Sequence, residues 1–217
     1  MDLTQKTVNF LGDSITEGVG ASTHEHCYVE VLRQTYGLAQ ARNYGISGTR
    51  IAHQAHVSDK PSFDLDFCGR YQEMDDHADA VVVFGGTNDF GHGFAPFGVI
   101  GDTAPDTFCG ACDTLYKGLI AKYPTTPIVI VTPTPRQAEN DPRGDGFKPA
   151  GPLLAEYVDA IQKIAAANGL PVLDLFHDAP AGMRAAFPPE LFPDGLHPND
   201  VGHEHLARLI AEFLQTL

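Results

Sequence analysis

Apolar residues in this chain fall into short unbroken runs separated by stretches of helical period. AVVVF (Ala80–Phe84) and IVIV (Ile128–Val131) are continuously apolar, as expected of strands covered on both faces. Val8, Phe10 and Leu11 form an earlier run, VLDL (172–175) a later one, and ARNY (41–44) a weaker one suited to a sheet edge. Between them, Tyr28–Tyr36 carries apolar positions at helical spacing and stops at Gly37, a natural C-terminal cap. A second helix is predicted over 106–123 through Phe108, Leu115 and Leu119, and a third on the stripe Leu153, Leu154, Tyr157, Val158, Ile161 and Ile164. The last follows Asn199 or Asp200 as cap and shows Leu206, Leu209, Ile210, Phe213, Leu214 and Leu217. Strands alternating with helices predict right-handed βαβ crossovers and a parallel sheet with helices on both faces. Five strands fit the flavodoxin-like order 2-1-3-4-5. Two loops rich in glycine and proline span 91–105 and 133–151. Residues 53–77 are hard to read, although Phe67, Tyr71 and Met74 suggest a helical turn or two.

The 217 residues suffice for one well-buried domain, and with no linker-like stretch or internal repeat a single domain over 1–217 is expected. A net charge of −14 argues against nucleic acid, which needs clustered lysine and arginine, and against anionic membrane surfaces; solubility accounts for it. No apolar run approaches the ~20 residues of a membrane span. The start, MDLTQKTVNF, lacks the basic and apolar regions of a signal peptide, so a cytoplasmic location is expected. Four cysteines are too few for a disulfide framework. Cys109 and Cys112 have CxxC spacing but no second pair, and Cys112 shares a stripe with Phe108, Leu115 and Leu119, so both read as core residues and no metal is expected.

Candidate chemistry begins where the first strand ends, in NFLGDSITEGVG (9–20). Ligands of such sheets bind beyond the carboxyl ends of the strands. A glycine-rich turn there can cradle a phosphate, or a sharp turn can expose one serine hydroxyl. The phosphate reading lacks both GxGxxG spacing and a Gly-Lys-Ser/Thr ending, and Asp13 and Glu17 would repel an anion. The serine reading demands a base, a group to orient it and donors for an oxyanion, all at loop ends on the same sheet edge. NYGISGTRI offers Gly45 and Gly48 as bare backbone N–H groups, FGGTNDF offers the Asn88 amide, and FPDGLHPND sets Asp194 three residues before His197. Gly195 allows a tight turn between them, and Pro198 keeps the backbone of His197 extended.

These four blocks, GDS, GISG, GGTND and DGLH, resemble those of the SGNH hydrolases, also called GDSL esterases and lipases, in order and over nearly the whole chain. The resemblance implies a three-layer flavodoxin-like α/β/α fold and an open, shallow site. It implies Ser14 as nucleophile, His197 as base and Asp194 as its orienting group, with an oxyanion hole of the Ser14 and Gly48 N–H groups and the Asn88 side chain. Gly45 is the weaker donor candidate, and Ile15 stands where relatives often have leucine. Asp13, His92 and Phe94 are expected to contact substrate, with the 91–105 loop as one wall. Asp89 is expected to brace its own turn. His24, His26, His53 and His56 read as surface residues, and His203 and His205 as facing different sides of the last helix. The expected function is hydrolysis of short-chain acyl esters, acetyl groups on carbohydrates among them, with no cofactor. The alternatives are a lysophospholipase or thioesterase, an acyltransferase on the same serine, or a non-enzymatic mononucleotide-binding module.

Overall fold

The computed structural model describes residues 1–55, 60–146, 148–177 and 182–217. Strands β1 (Thr7–Gly12), β2 (Gln40–Gly45), β3 (Ala80–Phe84), β4 (Ile128–Val131) and β5 (Val172–Leu173) lie parallel in the order β2-β1-β3-β4-β5. Gly12 stands opposite Gly45 on one side and Phe84 on the other, so the carboxyl ends of the three central segments finish level. That shared edge is where the site is built. β5 stops two residues short of the predicted run because the Asp174 carboxylate captures the backbone N–H groups of Phe176 and His177 and turns the chain.

The helices are α1 (Ser14–Glu17), α2 (Tyr28–Tyr36), α3 (Phe67–Arg70), α4 (Thr87–His92), α5 (Phe108–Lys122), α6 (Leu154–Ala167) and α7 (Asp200–Gln215). The four long ones follow the predicted stripes, with ends set by caps. Gly37 closes α2 in the left-handed region at φ 69°, Thr107 opens α5 by accepting from the Gly110 N–H, and Asn199 opens α7 by accepting from the Gly202 N–H. Residues 53–77 contribute the single turn of α3 between two 3₁₀ turns, Pro61–Asp64 and Tyr71–Glu73. Alternation along the strands divides the core in two. Leu11, Val81, Val83 and Ile130 face α5 and α6, while Val8, Phe10, Val82, Phe84 and Val129 face α2 and α7. Each such side chain, taken wholly out of water, stabilises by about 1.5–3 kcal/mol. Cys109 and Cys112 are buried in the first of these cores as free thiols. Among the described residues no helix is long and apolar enough to cross a membrane.

Candidate active site

Ser14 occupies the first position of α1, directly after β1. Asp13 caps that helix, its carboxylate accepting from the Ile15 N–H at 3.1 Å. The turn that follows must be glycine. Gly18 and Gly20 take φ of 110° and 98°, and a Cβ on Gly20 would lie 2.2 Å from the Pro198 carbonyl oxygen and 3.1 Å from the His197 Cβ. The loop ahead of α7 therefore packs directly on the loop behind α1, bringing together residues 183 positions apart. Ser14 Oγ and His197 Nε2 are 2.9 Å apart. His197 Nδ1 and Asp194 Oδ2 are 2.7 Å apart, and the other oxygen of Asp194 accepts from the backbone N–H groups of Leu196 at 2.9 Å and His197 at 2.7 Å. Gly195, at φ 80°, makes that tight turn possible. Burial works to raise the Asp194 pKa, but these hydrogen bonds outweigh it and hold the carboxyl below its ordinary value.

Gly48 sits at φ 76° with its α-carbon against the Phe63 ring, which a Cβ would meet at 2.2 Å. Among the described residues neither the Ser14 nor the Gly48 N–H donates to another backbone group. Asn88, buried in the first turn of α4, donates from Nδ2 to the Thr49 carbonyl at 3.0 Å. α1 and α4 each begin at the end of a central strand, so the hydroxyl of one and the amide of the other share the sheet edge. Gly45 packs against the backbone of Thr16 and Glu17, where a Cβ would come within 2.1 Å of the Glu17 nitrogen.

The remaining residues singled out in the sequence take varied places. Asp13 is buried beneath the serine as a helix cap, and its pKa rises to about 7 through burial and the nearby charge of Asp89, against the Ile15 N–H, Arg70 and Arg136. His92 is half-buried between Arg50 and Asn88, and Phe94 is half-exposed on the loop beyond it. Asp89 meets its own backbone N–H but reaches beyond its turn. Its two oxygens accept from the N–H groups of Ile51 and Ala52, both at 2.9 Å, and so clamp the loop after β2 to α4. Burial raises its pKa to about 6 in spite of those bonds. His203 is fully buried, stacked on Tyr28 with ring centroids 6.2 Å apart, and His205 meets the Ala186 carbonyl. His24, His26 and His53 are exposed, His26 beside Asp200 and His53 beside Asp66; His56 lies outside the described residues. No group of three or more metal-binding side chains occurs among the described residues.

Further features lie outside the residues singled out in the sequence. Arg50, Arg70 and Arg136 are all buried under the site. Arg70 joins the Gly12 carbonyl, the Thr49 hydroxyl and the Tyr44 carbonyl, tying together the ends of β1 and β2. A second Asp-x-x-His pair, Asp174 and His177, reproduces the local geometry of Asp194 and His197, with Nδ1 to Oδ2 at 2.9 Å, yet its Nε2 faces Asp159 and not a serine. A cavity of about 620 Å³ flanks the Pro193–Gly195 turn, lined by Arg136, Gln137, Arg184, Phe187 and Phe192; Ser14 is not part of its wall.

Comparisons with known proteins bear on the family and the fold. The sequence profile of the GDSL-like lipase/acylhydrolase family matches residues 10–205. A crystal structure of a protein from Lactobacillus plantarum is 31% identical, covers 98% of each chain and superposes with a TM-score of 0.79. The lipase/acylhydrolase from Enterococcus faecalis shares the fold at 22% identity, with 97% of this chain and 96% of that one covered and a TM-score of 0.64. An acetylxylan esterase from Geobacillus stearothermophilus does so at 22% identity, with 98% and 95% covered and a TM-score of 0.65. Comparison with curated proteins gave no significant match. The profile match spans all four sequence blocks and the fold they build: the chain belongs to the GDSL-like lipase/acylhydrolase family.

Proposed function

We propose that this protein is a serine esterase that hydrolyses short-chain acyl esters through an acyl-enzyme on Ser14. The observation that carries the reading is the unbroken hydrogen-bonded line from Ser14 Oγ through His197 to Asp194, with links of 2.9 and 2.7 Å. Asp194 accepts from Nδ1–H, which leaves the Nε2 lone pair facing the hydroxyl. His197 removes the Ser14 proton as Oγ adds to the ester carbonyl, and returns it to the departing alcohol. Water then follows the same route to release the acid. The tetrahedral oxygen is met by the Ser14 N–H, the Gly48 N–H and the second N–H of Asn88, donors fixed before the reaction begins.

Acetyl groups on carbohydrates are included in the proposal. The acetylxylan esterase of the same fold lends that substrate class support, as does the absence from the sequence of a long apolar lid suited to lipid chains. The test is a panel of aryl esters of increasing acyl length beside acetylated xylo-oligosaccharides, run on the wild type and on Ser14→Ala, with product analysis in the presence of added alcohol. Loss of the nucleophile should cost on the order of 10⁶ in kcat. A purified, folded Ser14→Ala protein that still cleaved the acetyl ester would overturn the reading, and predominant transfer to the added alcohol would make the enzyme an acyltransferase.

A further inference from the structure

Three polar groups under the site form a chain with one possible direction. Arg50 Nη2 lies 2.8 Å from His92 Nδ1. A guanidinium carries only N–H donors at any working pH, so Nδ1 must accept and the ring proton must sit on Nε2. His92 Nε2 in turn lies 3.2 Å from Asn88 Oδ1, one turn back on α4. Donation from Nε2–H holds the amide oxygen toward the ring, so the amide nitrogen faces the other way. There one N–H meets the Thr49 carbonyl at 3.0 Å, and the second is left over. We propose that His92, fixed as the neutral Nε2–H tautomer by Arg50, is the positioning residue that keeps the Asn88 amide nitrogen turned toward the oxyanion.

This inference rests on the role given to Asn88 in the proposed function. Without His92, the Thr49 carbonyl alone would hold the amide, as a pivot about which the free N–H could swing. Asn88 Oδ1 would also lose its partner in a buried place. The surroundings keep the ring uncharged. Burial and the charge of Arg50 push the His92 pKa down to about 4, with Arg136 acting in the same sense and Asp145 opposing it. A neutral ring anchored on a permanent cation also polarises the chain so that the amide N–H becomes a stronger donor. The ring is held in place by Phe63, with centroids 5.5 Å apart, a contact that a phenylalanine at 92 would preserve.

The experiment is a double-mutant cycle of His92→Phe and Asn88→Ala, read as kcat and KM on an acetyl ester, with long-range ¹H–¹⁵N NMR of the wild-type imidazoles as a measurement that needs no variant. Asn88→Ala should lower kcat by about 10²–10³. His92→Phe should lower it by about tenfold with KM within about twofold, and by less than about twofold when Asn88 is already alanine. The NMR spectrum should show His92 protonated on Nε2 and unprotonated on Nδ1. Equal losses in both Asn88 backgrounds, an unchanged kcat in His92→Phe, or a proton on Nδ1 would each overturn the inference. Asn88→Ala at wild-type kcat would instead remove the oxyanion reading itself, so the two failures are told apart.

Discussion

Replacing Asp194 by asparagine should damage the enzyme more than deleting its side chain. One carboxylate oxygen accepts from two backbone donors, Leu196 N–H at 2.9 Å and His197 N–H at 2.7 Å, and the other faces His197 Nδ1. An amide at 194 can be placed in two ways. Turning its NH₂ toward the two N–H groups sets donors against donors and gives up both hydrogen bonds, at a cost of about 0.5–1.5 kcal/mol each. The amide therefore keeps its oxygen there and presents NH₂ to Nδ1. Nδ1 must then accept, the proton moves to Nε2, and the ring offers Ser14 a donor where it needs an acceptor. A base in the wrong tautomer costs about 10⁴ in kcat, or roughly 5.5 kcal/mol of barrier. Alanine imposes no tautomer. The Asp194 side chain is 56% exposed, so water can take the Nδ1–H in its place. Asp194→Ala should thus retain at least about tenfold more activity than Asp194→Asn. The assay is kcat/KM on an acetyl ester together with the rate of fluorophosphonate labelling of Ser14, with melting temperatures to verify folding. An asparagine variant within about tenfold of the wild type, or one no worse than alanine, would refute the tautomer argument.

Other perturbations test separate parts of the site. Asp13 has its pKa raised from 3.8 to about 7, so its stabilising contribution is complete below about pH 4 and is lost as pH rises through about 7. Asp13→Asn keeps the cap on the Ile15 N–H and cannot ionise; its advantage over the wild type in urea unfolding should be small near pH 4 and approach roughly 4 kcal/mol at pH 8, and an advantage independent of pH would contradict the burial of that charge. Gly20→Ala would set a methyl 2.2 Å from the Pro198 carbonyl oxygen and displace the His197 loop. A shift of about 1 Å there should slow labelling of Ser14 by about 10², and unchanged labelling would show that the two loops do not position each other. Burial raises the pKa of both Cys109 and Cys112, so neither should react with a thiol reagent until the protein is unfolded; rapid labelling in the native state would count against the core assignment.

Much of the fold was legible because its signals are local and repeat. AVVVF and IVIV have the continuous apolar character of doubly covered strands, and the helix ends were marked by Gly37 and Asn199. α1 and α4 escaped because four and six residues are too few to show a period, and both follow glycines that read as loop. The candidate site was legible by the order of its blocks, not by any one of them. Asp174-Leu-Phe-His177 has the same spacing and the same local hydrogen bonds as Asp194-Gly-Leu-His197, and only tertiary packing through Gly20 brings the second pair to a serine. The buried arginines were not legible at all. A guanidinium reads as surface until its acceptors are known, and those of Arg70 lie 21 to 58 residues away in the chain.

These arginines explain how loops from four strands hold one geometry beyond what the apolar cores beneath them fix. Arg70 reaches the ends of β1 and β2, Asp89 ties α4 to Ile51 and Ala52, and Arg136 joins the Thr87 backbone and hydroxyl to Asp145 in the long loop after β4. Each bond runs from a buried charged side chain to groups on another segment, so the segments carrying Ser14, Gly48 and Asn88 cannot shift independently. Burying these charges carries a desolvation penalty, visible in the raised pKa values of Asp13 and Asp89 and the lowered ones of Arg50, Arg70 and Arg136. Apolar side chains could fill the same volume at less cost, but they hold a loop by shape alone and fix no direction for an N–H group. An oxyanion hole depends on direction, because its donors help only if they already point where negative charge will form. On the proposed function, the charged floor therefore trades stability for orientation, and the site should be rigid where the rest of the loop layer is free to vary.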